Sequence, residues 1–411
     1  MNADQRRLEP AEIGERVRKV RRRRGLSLEV AAGLAGISMG YLSMLERGER
    51  RFERRGLVED LASALGCSPA DLTGQPYLPP DSETAAGKRV VARIEQGLND
   101  ATLDDVPDMR PRDLSDLREL VESHARSRDG AQYSAAAQDA DLVLVELQVH
   151  IATGTGPQRR EAAELLVRAA YNAFVVATTY GYFHLAEQAA RRAYDAAVLT
   201  EQAELLAFAM FARVPSIARA GGRDRAIRLL DRTLSEQRGL SAIHHDNTLG
   251  AEMLGLLHLM GAHLAARGRD TDAAHAHVDE ATQLAARTGE RNGLLQHFGP
   301  TNVQVWQVAI AAELDEGPTV AERTEREPID IVRLDSRDRA AALHFDLARS
   351  YGQAHGSRDT HAVQHLEIAD RFAPQRIRQD PLARDLIAAL SHRSRRRSWE
   401  LDSLRNRFGL G

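Results

Sequence analysis

Apolar positions recur along this chain with the spacing of helices. Ile13, Val17 and Val20 lie three and four apart until Gly25 interrupts them. Ser27 then stands in an N-cap position, and Val30, Ala31 and Leu34 predict the inner face of a second helix ended by Gly36. Ser38 opens a third with Tyr41, Leu42 and Leu45, up to Gly48. Leu57, Leu61, Ala64 and Leu65 mark a fourth. Ser68 and Pro69 start a short fifth through Leu72, with proline at a first helical position where its missing N–H costs nothing. Five short helices over residues 1–75 make one predicted unit.

The next stretch, 76–112, reads as a linker, because QPYLPPDSETAAG and VPDMRPRD concentrate the residues that break regular structure. From Leu114 the helical period returns, so 113–411 reads as a helical body, broken at Thr153–Pro157, Gly221–Gly222, Gly268, Gly317–Pro318 and Gly356. Small or apolar residues follow several of these breaks at spacings near four and three. Gly181 precedes Ala186, Ala190 and Ala193; Gly221 precedes Ala226, Leu230 and Thr233; Gly268 precedes Ala274, Val278 and Ala281. In the last copy Leu347, Ala348 and Tyr351 precede Gly356, and Ala362, Leu366, Ala369 and Pro374 follow. That is the pattern of tetratricopeptide repeats, in which small residues let paired antiparallel helices approach closely and stack into a solenoid with a concave face.

Composition adds limits. Aromatics are 5% of the 411 residues, which favours helix over sheet. A single cysteine, Cys67, excludes a disulfide framework and multi-cysteine metal sites and fits a reducing, cytoplasmic compartment. The most apolar stretch, Leu249 to Ala266, contains Glu252, His258 and His263, which argues against a membrane span, and MNADQRRLEP lacks the apolar run of a signal peptide. The net charge of −4 is unevenly spread. Residues 1–75 hold 14 Lys+Arg against 11 Asp+Glu, and the remainder 41 against 48. Seven of the nine residues from Arg16 to Arg24 are basic. A basic head on an acidic body suggests a polyanion-binding module, the alternative being a solvated arginine face.

In a helix-turn-helix the third helix of such a unit enters the major groove with its first residues at base edges, and Gly33, Ala35 and Gly36 supply the small residues of a tight turn. The segment LSLEVAAGLAGISMGYLSMLERGERR resembles the xenobiotic-response-element family of helix-turn-helix regulators, the phage-repressor type. The resemblance is carried by Leu26-Ser27, Ala31, Gly36-Ile37-Ser38, Leu42-Ser43 and Glu46-Arg47-Gly48, with LASALGCSPADL similar to that domain's last helices. It implies DNA contacts from Ser27 and Leu28, from Ser38, Met39, Gly40, Tyr41 and Ser43 at base edges, and from Arg47, Arg50 and Arg51 at phosphates. Leu28 stands where the family usually has glutamine, so base readout is expected to fall on the third helix.

In the body, Gln296, His297, Phe298, Thr301, Asn302 and Trp306 crowd onto one turn, and Asn172, Phe174, Tyr180 and Tyr182 form a second cluster. Either is a pocket that stacks on a ligand and bonds its amides, or helix packing with polar caps. The whole chain resembles actinobacterial regulators that join such a head to a tetratricopeptide body, in which the FGPTN stretch recurs. Its layout is also similar to peptide-pheromone-sensing regulators.

The histidines lack metal-ligand spacing: His275 and His277 point to different faces, His258 and His263 are five apart, and His244-His245 precede a loop. No catalytic motif is found, so no cofactor, metal or catalytic residue is expected. The tail from His392 to Arg407, with Trp399, Leu401, Leu404 and Phe408 in one stripe, reads as a capping helix with a solvated arginine face.

The expectation is an all-α protein: a five-helix helix-turn-helix domain, then a tetratricopeptide-like α-solenoid. Its function would be that of a sequence-specific transcriptional regulator at the nucleoid, a homodimer on a palindromic double-stranded operator with a small-molecule or peptide effector. The competing expectation is a scaffold or anti-regulator that docks a partner protein through the repeats.

Overall fold

In a computed structural model, which describes residues 13–76, 82–237, 240, 248–354, 356–394 and 398–410, the chain is helical, and among those residues there is no strand. The head comprises α1 (Ile13–Arg23), α2 (Leu28–Leu34), α3 (Met39–Glu46), α4 (Arg55–Leu65) and α5 (Pro69–Thr73). Local chemistry sets these bounds. Ser27, Ser38 and Ser68 each accept a backbone N–H of their own helix, from Val30, Tyr41 and Asp71. After α2, Gly36 takes the left-handed conformation at φ +66°, and Ile37 N–H reaches back to the Ala32 carbonyl at 3.0 Å, closing a Schellman turn. Val17, Ala31, Leu42, Leu45, Leu61 and Leu72 form the centre of this unit.

The inner face of α2 differs from the expectation. Ala31 and Ala32 are buried, whereas Val30 and Leu34 are 50% and 62% exposed. Within seven residues the helical period cannot decide which of two adjacent apolar rows faces inward, and the small side chains allow the closer packing.

The stretch expected as a linker differs in its middle. There α6 (Ser82–Asn99) buries Val90, Val91, Ile94 and Leu98 against the first helices of the body. Then come α7 (Leu114–Asp129) and α8 (Ala140–Thr153). Five helix pairs follow: α9 (Gly156–Thr179) with α10 (Phe183–Thr200), α11 (Ala203–Arg219) with α12 (Arg223–Glu236), α13 (Leu249–Arg267) with α14 (Thr271–Thr288), α15 (Pro300–Glu313) with α16 (Gly317–Arg326), and α17 (Arg337–Gly352) with α18 (Asp359–Phe372). The first helix of each pair packs on its own partner and on the first helix of the next pair, the nearest-neighbour arrangement of an α-solenoid.

The alanines of the repeat pattern sit where helices touch: Ala186, Ala190, Ala193, Ala226, Ala274, Ala281, Ala362 and Ala369 are buried. Gly181, Gly221 and Gly356 take positive φ at their turns, while at the third turn Arg269 adopts the left-handed conformation instead of Gly268. The pair α15–α16, announced in sequence only by the Gly317–Pro318 break, is the fourth of the five and adds to the four copies of the pattern.

Among the described residues one helix, Leu249–Arg267, is long and apolar enough to cross a membrane, and most of it is buried inside the solenoid. The chain ends in α19 (Pro374–Arg378), α20 (Pro381–Arg393) and α21 (Trp399–Arg407), which close the end of the repeat stack. Leu401, Leu404 and Phe408 are buried there, but Trp399 leaves the predicted stripe and is 73% exposed. Arg393 and Arg407 bind Asp359, Glu367 and Asp370 rather than standing free in solvent. His244, His245 and Arg395–Arg397 lie outside the described residues.

Candidate nucleic-acid interface and the cavity behind it

Helices α2 and α3 meet at 106° across the turn from Ala35 to Ser38, within the range of a helix-turn-helix pair. A buried pair fixes α3 on α1: Arg21 donates through Nε and Nη2 to both oxygens of Glu46, at 2.6 and 2.7 Å. One arginine of the basic run is therefore structural, while Arg18, Lys19, Arg22, Arg23 and Arg24 are exposed.

The N-terminal half of α3 faces outward. Ser38, Met39 and Gly40 are exposed and Ser43 half-buried, so a base edge can approach them. Ser38 and Ser27 already accept a backbone N–H, which leaves each hydroxyl proton for a phosphate. Leu28 is half-buried against the head's core. Tyr41 is half-buried as well, and burial, then the carboxylate of Glu53, push its phenol up.

Arg47 is exposed; it donates to Ser43 Oγ and pairs with Glu49 at 2.6 Å. Arg50 is exposed and makes no ion pair among the described residues. Arg51 is the departure from the expected phosphate clamp. It is 7% exposed, pairs with Glu53 at 2.8 Å and lies across the backbone of Gly352 in α17.

That burial belongs to a seam between head and body. Phe52 N–H donates to Asp385 at 2.8 Å, and Arg55 N–H to Glu313 at 2.9 Å. Glu59 accepts from Arg267 at 2.9 Å, and Asp60 pairs with Arg223 at 2.6 Å. Glu313 is fully buried and also accepts from Arg349 at 2.6 Å. Burial would raise its carboxyl, but Arg349 and Arg267 outweigh it and hold the group at about 2.

Behind the seam the concave side of the solenoid encloses a cavity of about 290 Å³, with Arg55 and Gln75 lining it next to residues of α9, α11, α13, α15 and α17. Its charged lining is six arginines, Arg55, Arg219, Arg267, Arg339, Arg349 and Arg376, and three aspartates, Asp338, Asp346 and Asp380. Aromatic walls come from Tyr171, Phe174, Phe183, Phe211, Trp306 and Phe345.

Of the two clusters singled out in the sequence, only Phe174 and Trp306 reach this space. Asn172 donates to the Ala136 carbonyl, and the Tyr180 hydroxyl lies 3.0 Å from Ser134 Oγ. Gln296 accepts from the Tyr171 hydroxyl at 2.8 Å; His297 Nε2 lies 2.8 Å from Asp129. Phe298 fills the space beside Gly255, where a Cβ would stand 2.0 Å from its ring. Asn302 is fully buried, with Nδ2 3.4 Å from the Gln296 carbonyl.

FGPTN thus caps α15, with Glu290 accepting both the backbone N–H and the hydroxyl of Thr301 at 2.9 and 2.6 Å. Residues the sequence did not single out, Arg219, Arg267 and Arg349, come from different helices, and no local motif links them.

Residues 12–73 match the model of a family described as a helix-turn-helix domain. The head is a helix-turn-helix domain. No curated protein matches the chain. Among solved structures it is similar to Bacillus thuringiensis PlcR in complex with the peptide PapR7 and DNA, at 11% identity and a TM-score of 0.30, over 82% of this chain and 94% of that one.

Proposed function

We propose that the protein is a DNA-binding transcriptional regulator of the xenobiotic-response-element type whose helix-turn-helix head reads an operator and whose solenoid body responds to an effector. The outward N-terminal half of α3, with Ser38, Met39 and Gly40 exposed on the helix-turn-helix, carries this reading. The exposed basic residues of α1, with Arg47 and Arg50 after α3, add the positive field that draws a head onto phosphates. Met39 and Gly40 bond bases poorly, so discrimination rests on thymine methyl contacts and DNA shape.

A single head reads few base pairs, so the protein acts as a homodimer on a palindromic site. The body supplies dimerisation and the effector cavity, and the seam carries the effector's influence to the head. This activity places the protein at the nucleoid, in the cytoplasm. Genome-wide immunoprecipitation of the tagged full chain from its native host tests the reading. Discrete peaks that share an inverted repeat are expected, and their absence would overturn it.

A further inference from the structure

The cavity's charges do not balance. Asp338 serves Arg376 and Arg339, Asp346 and Glu313 serve Arg349, Asp380 serves Arg55, and Glu59 serves Arg267. These five carboxylates leave the sixth arginine, Arg219, without an ion pair or hydrogen bond among the described residues. Its guanidinium lies 5.7 Å from the centre of the Phe183 ring, at the C-terminal end of α11. A half-buried guanidinium with no counter-charge among the described residues is costly. Burial first, then the like charges of Arg267 and Arg55, bring Arg219 down to about 9.

Among the neutral side chains of the walls, Trp306 Nε1 and Thr178 Oγ1 are buried with no hydrogen-bond partner among the described residues. Trp306 stands edge-on to Phe211 and to His263, with ring centres 6.3 and 5.8 Å away. Burial holds His263 well below its ordinary value, so it adds no charge.

We propose that this cavity binds a small aromatic carboxylate, its anionic group on Arg219 and its ring among Phe174, Phe211 and Trp306. The proposal deepens the effector role proposed for the body and rests on that reading for its regulatory consequence. One surplus cation calls for one negative charge, which separates a monocarboxylate from a phosphate ester. A volume of about 290 Å³ is at the lower end for small-molecule sites and suits one or two rings with a short acid chain. Trp306 N–H and the Thr178 hydroxyl supply donors for a second acceptor atom on the ligand. Arg55 belongs to the head, and Arg267 holds the head's Glu59. An anion on Arg219 relieves its repulsion with both and tightens the head on the body.

The test uses the full chain carrying Trp399→Phe, which leaves Trp306 as its one tryptophan. Phenylacetate and 3-phenylpropionate are titrated beside the neutral phenylacetamide, acetate and the tripeptide Gly-Gly-Phe, with calorimetry, Trp306 emission and Tm as readouts. The acids are expected to saturate, quench or shift Trp306 emission and raise Tm, with the amide and acetate at least tenfold weaker. Arg219→Leu is expected to weaken the acids at least tenfold while the unliganded Tm holds or rises, because an uncompensated cation has gone; Arg219→Gln serves if the leucine variant does not fold.

Equal binding of acid and amide, undiminished acid binding by the Arg219 variants, or no response to either acid would overturn the proposal. So would a tenfold preference for Gly-Gly-Phe over the free acids. Operator binding is measured on the same protein. Binding to the operator without response to the acids sinks the ligand class alone, whereas response to the acids without DNA binding sinks the regulator reading alone.

Discussion

Gly56 in α4 lies against the last residue of α13 so closely that a Cβ on it would stand 2.1 Å from the Arg267 carbonyl oxygen. Arg267 meets the same helix a second time, through its guanidinium on Glu59. The head is thus held by a backbone approach and a buried ion pair one helical turn apart.

Replacing Gly56 separates the seam from the helix that carries it. In a helix interior Gly→Ala favours the variant by about 0.8–1.0 kcal/mol, and at the second position of α4 the helix itself still does not disfavour alanine. A loss of stability in Gly56→Ala would therefore have to come from the contact with Arg267. Gly56→Val is expected to push the head off the body, seen as a larger radius of gyration in solution scattering and faster proteolysis after Arg54 and Arg55. An unchanged radius would show that the seam yields without opening.

Arg50 and Arg51 are adjacent in sequence but face different partners. Arg50 is exposed and makes no ion pair among the described residues, whereas Arg51 is enclosed against α17. Arg50→Ala is expected to weaken binding across all DNA sequences and to lower the slope of log affinity against log salt by about 1. Arg51→Ala should leave that slope intact and lower Tm, since it removes the ion pair with Glu53 and the packing on Gly352 at the seam. Equal effects of the two on the salt slope would place Arg51 on the phosphates after all.

The head was legible because its signals are local. Gly25, Gly36 and Gly48 end helices and Ser27, Ser38 and Ser68 begin them, each through contacts within a few residues. The repeat turns were legible for the same reason. Helix α6 was hidden by the prolines around it, although Val90, Ile94 and Leu98 already stood four apart. The cavity could not be read at all: its arginines lie on α4, α11, α13, α17 and α19, and only the curvature of the solenoid brings them together. Asn302 and Trp306 illustrate the difference, since neighbours on one helix turn end in different places, one in the packing of α15 and the other on the cavity wall.

Asn302 is accordingly expected to act on stability and not on ligand response. Its side chain is fully buried and its Oδ1 has no partner among the described residues, so Asn302→Ala removes one weak hydrogen bond and leaves a small void. A loss of about 1–2 kcal/mol in denaturant unfolding is expected. The response of Trp306 emission to phenylacetate should survive the change. If the response vanished while the unfolding midpoint held, Asn302 would belong to the binding site.

The repeats also make the fold sensitive to acid. Two histidine pairs bridge the helices of two repeats: His258 and His277 between α13 and α14, with Nδ1 atoms 3.0 Å apart, and His344 and His365 between α17 and α18, at 2.8 Å. Burial first, then the facing ring, lowers His258 to about 4, and the same two causes lower His365 to about 4. Burial, then Arg371, does the same to His344, while burial lowers His277 against the pull of Asp231, Glu280 and Asp270.

The folded state therefore takes up protons less readily than the unfolded chain, in which these groups titrate near 6.5. Their contribution is complete above that pH and is lost progressively as pH falls toward 4. Tm should be level between pH 7 and 8 and should fall steadily from about 6.5 downward. In His344→Gln, where the amide can still bond His365 but cannot be protonated, the decline should be shallower by one proton's share. An identical pH profile in that variant would mean that the acid sensitivity lies elsewhere in the chain.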